Sequence, residues 1–280
     1  MRQKLLSVSS TAVYTPRPAN ESPFPIPVYR LPFVSISPTR LVYSRVSQSQ
    51  RRSLPLKAPT IVFDLDGTLV DTAPDLVSSL NHTIAVAGLP PVGYEDLTHL
   101  VGHGARAMIA RAFALRGVPL DEDELQPLLD RFIVHYTAGM PGESQPYPGL
   151  VDALGRLREA GFRLAVCTNK MEGLAVPLIE KLGLAHHFAA IAGGDTFAVR
   201  KPDPGHLTAT IERAGGDPSR AVMVGDSIND ILAAQNAGIP SVVVPFGYSD
   251  RPVEELGADR LIRHFDELTP AMLSELMGRA

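Results

Sequence analysis

Five short runs of consecutive apolar residues, each closing on a polar or glycine-containing corner, recur from residue 60 onward and alternate with amphipathic segments. They are TIVFD (60–64), RLAVCT (163–168), AAIAGG (189–194), AVMVGD (221–226) and SVVVPFG (241–247). A strand with one face in water alternates apolar and polar positions, whereas a strand covered on both faces reads as an unbroken apolar run. The runs therefore predict an open, mainly parallel sheet with helices packed on it, an α/β fold in which ligands collect at the carboxyl ends of the strands.

The segments between the runs supply the helices. In LVDALGRLREAG (150–161), Leu150, Ala153, Leu154 and Leu157 fall on one face, and Gly161 is placed to end the helix. DPGHLTATIERAGG (203–216) starts at an Asp-Pro pair, and both it and NDILAAQNAG (229–238) finish in glycine. Residues 75 to 145 break the alternation. DLVSSLNHTIAVAG, GARAMIARAFALRG and DEDELQPLLDRFIVHYTAG read as successive helices without a buried strand among them. Inserted between the first two strands, they predict a helical cap (75–145) over the edge of an α/β core (59–74 and 146–280).

Residues 1–58 are a different polymer. They hold nine Lys or Arg against one acid, Glu21, and their frequent prolines remove backbone donors and block helix, which predicts a disordered extension. Such a basic, Pro- and Ser-rich segment reads as a non-functional extension, an organellar targeting peptide or a basic interaction arm. The whole chain has a net charge of −4, which gives no general reason to expect nucleic-acid binding. A single cysteine, Cys167, precludes an internal disulfide and favours a reducing compartment, and no apolar run is long enough to span a bilayer. A cytoplasmic location is expected, or an organelle if the extension is a transit peptide.

Polar residues gather where the strands end. Asp64 closes the first run with Asp66 two positions on; Thr168 and Asn169 close the second; Lys201 follows the third; Asp226 and Asp230 follow the fourth. Singly, each fits a loop or a helix cap, and Asp226, Ser227 and Asn229 are residues that capping alone would select. Four clusters at four strand ends are hard to explain that way. Several carboxylates with one lysine and one threonine suit a hard cation such as Mg²⁺, and no Cys/His cluster has zinc spacing. A carboxylate can attack phosphorus if cations neutralise the phosphoryl oxygens. A second carboxyl close by can protonate the leaving group and later deprotonate water. Acids at i and i+2 of an extended chain point to the same side and fit that division of work.

At these residues the sequence resembles the haloacid dehalogenase-like superfamily of aspartyl-phosphate phosphatases. DLDGT (64–68) matches its first motif, Thr168 of CTNK the second, Lys201 the third and GDSIND the fourth, in order, within residues 60–270. The resemblance implies a Rossmann-like three-layer core with an inserted small helical cap. It implies Asp64 as nucleophile, Asp66 as general acid/base, Thr168 and Asn169 as phosphoryl ligands with Gly67 beside them, and Lys201 as balancing charge. Metal binding would fall to Asp64, the Asp66 carbonyl, Asp226 and Asp230, and Asp71 would be a local hydrogen-bonding group. An acid at position 66, absent from the superfamily's dehalogenases and phosphonoacetaldehyde hydrolases, implies phosphate-ester chemistry.

Within the superfamily, FDLDGTLVDTAPDL, LVGHGARAMIARAF and VPFGYSD resemble the bacterial phosphoglycolate phosphatases. That implies Mg²⁺-dependent hydrolysis of 2-phosphoglycolate to glycolate and phosphate, in carbohydrate metabolism, by a monomer or homodimer with a small phosphorylated carboxylate as its partner and neither nucleic acid nor membrane. Gly102, His103 and Gly104 at a helix start, with Arg106, are candidates for the substrate carboxylate. His103 and Arg106 equally fit solvent-facing cap positions. Other small phosphates, such as pyrophosphate or sugar phosphates, and a β-phosphoglucomutase-like transfer share the motifs. A catalytically silent scaffold would have lost Asp64, Asp66 or Lys201, and all three are present.

Overall fold

The computed structural model describes residues 57–94, 96 and 104–278. Most of the basic extension, Gly102 and His103 lie outside the described residues. In chain order the elements are β1 (Thr60–Phe63), β2 (Val70–Asp71), α1 (Ala73–Ile84), α2 (Ala105–Leu115), α3 (Glu122–Gly139), β3 (Gln145–Pro146), α4 (Leu150–Glu159) and β4 (Arg163–Cys167). They continue with α5 (Glu172–Lys181), β5 (Ala190–Ala192), α6 (Pro204–Arg213), β6 (Ala221–Gly225), α7 (Ile228–Ala237), β7 (Ser241–Val243), β8 (Arg260–Leu261) and α8 (Pro270–Met277).

Six strands form one sheet in the order β5-β4-β1-β6-β7-β8, every neighbouring pair parallel. The strand pattern explains why. On β1, Ile61 and Phe63 pack with Leu164, Val166, Val222 and Val224 against Leu154 and Leu157 of α4, Leu178 of α5 and Leu273 of α8. Val62 turns to the opposite face, with Ala165, Cys167 and Met223, and meets Leu207 and Ile211 of α6 and Ala234 of α7. The chain is an α/β sandwich of three layers. Cys167 sits fully buried as a small apolar residue, its thiol pushed up to about 12 by burial.

The sequence-predicted faces hold. Leu150, Ala153, Leu154 and Leu157 are the buried residues of α4, Asp203 caps α6 by accepting from the Gly205 N–H, and Gly238 ends α7 in the left-handed region. The helix α5, with its internal Pro177, and the edge strand β8 were not anticipated from the pattern.

The chain leaves the sheet for the three helices α1–α3 through β2 and returns through β3, and these pair antiparallel, Val70 with Pro146 and Asp71 with Gln145. Leu76 and Leu80 of α1, Ile109 of α2 and Phe132 of α3 share one continuous apolar cluster with the sheet face that carries Phe63. The start of α1 is fixed from afar. Its N-cap residue, Thr72, makes no side-chain cap because its Oγ1 donates to Asp66 Oδ1 at 2.7 Å, and the Tyr248 hydroxyl instead accepts from the N–H groups of Thr72 (2.8 Å) and Ala73 (2.9 Å).

Candidate active site

With β1 at the centre, the chain runs outward to β4 and β5 on one side and to β6–β8 on the other, so the switch in direction falls beside β1. Ligands of open α/β sheets bind at such a point. The loops leaving β1, β4 and β6 carry Asp64, Thr168 and Asp226 there, and a cleft lined by Asp64, Asp66, Asp226, Ser227, Lys170 and Tyr248 opens beneath apolar residues of α1–α3.

After β1 the chain closes a turn on the Leu65 carbonyl, which accepts from the N–H groups of Thr68, Leu69 and Val70. Leu65 is thereby buried in the core, and Asp64 and Asp66 on either side of it both face the cleft. Gly67 makes this possible. Its φ of +82° belongs to the left-handed region, and a Cβ there would lie 2.5 Å from Asp226 Oδ2 and 2.9 Å from Tyr248 Cδ2.

Asp64 is buried. Its Oδ1 accepts from the Leu65 N–H at 2.7 Å and lies 2.8 Å from Lys201 Nζ, whose other partner is Asp230 Oδ1 at 2.6 Å. Burial pushes the Asp64 carboxyl up to about 7; Lys201 opposes that rise, while Asp230 and Asp66 add to it. Burial, then repulsion from Asp230 and Asp64, also raises Asp226 well above the usual carboxylate range. Burial alone would pull Lys201 down, but Asp230 and Asp64 outweigh it and keep the ammonium charged.

Several groups aim these side chains. Asp226 accepts from Thr68 Oγ1 at 2.9 Å on one oxygen and from the Tyr248 N–H at 2.7 Å on the other. Asp230 combines two tasks: its Oδ2 completes the capping box of α7 with Ser227, and its Oδ1 holds Lys201. The Lys201 backbone is braced in turn, its N–H donating to His206 Nδ1 while His206 Nε2 faces the Gly193 carbonyl at 3.0 Å. Burial and nearby Lys201 lower His206 to about 4, so it stays neutral.

The remaining sequence-predicted residues separate into those in the cleft and those outside it. Thr168 is buried at the end of β4, its Oγ1 accepting from the Lys170 N–H, and Asn169 Nδ2 donates to the Lys201 carbonyl at 3.0 Å, tying the second and third polar clusters together. Gly104 lines the cleft as the N-cap of α2, close enough to the core that a Cβ would be 3.4 Å from the Asn169 carbonyl oxygen. Arg106 does not reach the cleft. It stands exposed on α2 and binds Glu122 and Gln126 of α3, which fits the solvent-facing alternative. Asp71 accepts from the Tyr248 hydroxyl at 2.6 Å, a local hydrogen-bonding role as expected.

Two residues of the cleft were not singled out from sequence. Lys170 Nζ lies 2.9 Å from Asp66 Oδ1 and 4.4 Å from the centroid of the Tyr136 ring on α3. Tyr248 joins Asp226 to the start of α1. The adjacency of Lys170 to Thr168 and Asn169 was a usable signal, whereas nothing in the spacing singled out Tyr248, just after the run SVVVPFG.

The acidic groups fit a metal. Asp64, Asp226 and Asp230 each place a carboxylate oxygen within 4.8 Å of the others. Crowded, buried, all-oxygen donors of this kind are suited to a hard divalent cation.

The model for haloacid dehalogenase-like hydrolases matches residues 61–244. A phosphoglycolate phosphatase of Agrobacterium fabrum is 64% identical over 222 residues, 79% of this chain and 95% of that protein. Among solved structures, a predicted phosphoglycolate phosphatase from Haemophilus somnus superposes with a TM-score of 0.71 at 31% identity, covering 75% of this chain and 96% of that one. CbbY from Rhodobacter sphaeroides, in complex with phosphate, gives 0.68 at 31% identity over 78% and 99%.

Proposed function

The chain belongs to the haloacid dehalogenase-like hydrolases, and from that premise we propose that it hydrolyses 2-phosphoglycolate to glycolate and phosphate through an aspartyl-phosphate intermediate. The observation that carries this is the placement of Asp64 and Asp66 on one wall of a cleft with Lys201 bonded to the first. The 64% identical relative, named a phosphoglycolate phosphatase, supports the choice of substrate.

In the first step an Asp64 carboxylate oxygen attacks phosphorus and the bond to the glycolate oxygen breaks. Asp66, held on Oδ1 by Thr72 and Lys170, gives its proton to that oxygen. In the second step the Asp66 carboxylate takes a proton from water as the water attacks the phosphoryl group, which releases phosphate and regenerates Asp64. Thr168 and Asn169 orient the phosphoryl oxygens, and Lys201 keeps a positive charge beside them through both steps. Mg²⁺, held by the carboxylates of Asp64 and Asp226 and the Asp66 carbonyl with Asp230 behind, would supply Lewis-acid neutralisation of the phosphoryl oxygens. Residues 75–145 act as the cap that closes this chemistry from water.

Phosphate release from 2-phosphoglycolate, pyrophosphate and a set of sugar phosphates, with Mg²⁺ and with chelator, tests the assignment. Highest kcat/KM on 2-phosphoglycolate, lost in chelator, is expected. A preference for a sugar phosphate, or isomerisation of one with little phosphate release, refutes it.

A further inference from the structure

Asp64, Asp66 and Asp226 line the cleft, and a phosphorylated carboxylate brings more negative charge into it. Some cation must receive the non-phosphoryl end. Lys201 is taken, bonded to both Asp64 and Asp230 and 1% exposed, on the phosphoryl side. Arg106 is spent on the outer surface between α2 and α3. Lys170 is the one cation among the described residues that line the cleft.

Its placement suits the task. An ammonium has three donors. Lys170 directs one to Asp66 Oδ1 at 2.9 Å and rests over the Tyr136 ring at 4.4 Å, which leaves a donor for the cleft. Burial opposes its charge, but Asp66 and Tyr136 outweigh that and hold the ammonium above its ordinary range. Asp66 must meet the ester oxygen to protonate it. In 2-phosphoglycolate the carboxylate is one carbon beyond that oxygen, so a cation bonded to Asp66 is within reach of it.

With 2-phosphoglycolate hydrolysis as its premise, we propose that Lys170, seated between Asp66 and the face of Tyr136, binds the substrate's carboxylate and restricts the cleft to phosphate esters with a second anion one carbon from the ester oxygen. Leu76, Met108 and Phe132 form the apolar wall opposite and leave a longer or hydroxylated chain without polar partners.

The test compares 2-phosphoglycolate with its neutral amide, carbamoylmethyl phosphate, in wild type, Lys170→Gln, Lys170→Arg and Arg200→Gln. Arg200 is exposed at the mouth, its Nη1 4.0 Å from where a Gly104 Cβ would lie, and is absent from the lining. Wild type should favour the charged ester by a kcat/KM ratio of ~10- to 100-fold, the value of a charge-assisted contact. Lys170→Gln should erase that ratio, while Lys170→Arg and Arg200→Gln retain it. A Lys170 that only positions Asp66 would slow both esters equally and keep the ratio, which overturns the assignment. Loss of the ratio in Arg200→Gln with retention in Lys170→Gln overturns it too. If Lys170→Gln fails to fold, wild type still decides: equal handling of the two esters refutes a carboxylate site. A wild type that ignores both esters and hydrolyses a sugar phosphate removes the premise as well.

Discussion

Removing one oxygen, in Tyr248→Phe, should loosen the protein far more than a methylene-scale change at a site ordinarily would. The Tyr248 side chain is buried, and its hydroxyl accepts from the Thr72 and Ala73 N–H groups and donates to Asp71 Oδ1. Ala73 N–H keeps a second partner in Asp71 Oδ1 at 3.2 Å, and half-buried Asp71 can turn to water. Thr72 cannot: it is fully buried, and its own hydroxyl is committed to Asp66. A buried donor left without a partner costs ~1–3 kcal/mol, and loss of a bond to a charged acceptor adds ~1 kcal/mol after solvation, for a total of about 3 kcal/mol. For a folded region of this size that is a fall in Tm of ~6–12 °C. Calorimetric melting of wild type and variant measures it. Because Asp226 is held by the Tyr248 backbone N–H, which the substitution spares, the Mg²⁺ concentration for half-maximal activity should stay near wild type. A Tm within 2 °C of wild type would refute the claim that this hydroxyl caps α1.

Three further outcomes follow from the same geometry. Asp64, raised from 3.8 to about 7, contributes stability that is complete below the unfolded pKa and is lost as pH rises through about 7, so in chelator Tm should fall between pH 5 and 8; a flat or rising profile contradicts this. Asp64→Asn should abolish turnover yet raise the metal-free Tm at pH 8, since it removes a charge disfavoured by burial; a lower Tm would show that its bond to Lys201 dominates. Gly67→Ala must displace Asp226 or Tyr248, and should raise the Mg²⁺ requirement ~10- to 100-fold, as loss of a metal-supporting contact does; an unchanged requirement in a metal titration of activity sinks that reasoning.

The sheet was legible because burial on both faces leaves a mark that composition cannot disguise: each predicted run contains the strand found, with the last one or two residues of the first four runs, and the last four of SVVVPFG, turning out to be loop. The same is true of α4, where four apolar positions on one face needed only local periodicity. Two residues of β8 make no pattern, and α5 hides behind a proline that lies in its interior. At the site, Asp64, Thr168 and Asp226 could be found because each sits immediately after a strand, and Lys201 because it opens the loop before the Asp-Pro start of α6. Lys170 and Tyr248 act through partners 104 and 177 positions away in sequence, and no local spacing encodes such a pairing. Arg106 illustrates the converse, since its charge type suited an anion while its helical position turned it toward α3.

The antiparallel pairing of β2 with β3 has an evolutionary corollary. Whatever lies between Asp71 and Gln145 departs from and rejoins the sheet through adjacent doorposts, so insertions, deletions or wholesale replacement of the intervening helices need not disturb strand register on either side. Selectivity can drift in that segment while the aspartates remain under unchanged constraint. The fold thus lets the helices over the cleft change without moving the aspartates, or Lys170, beneath them.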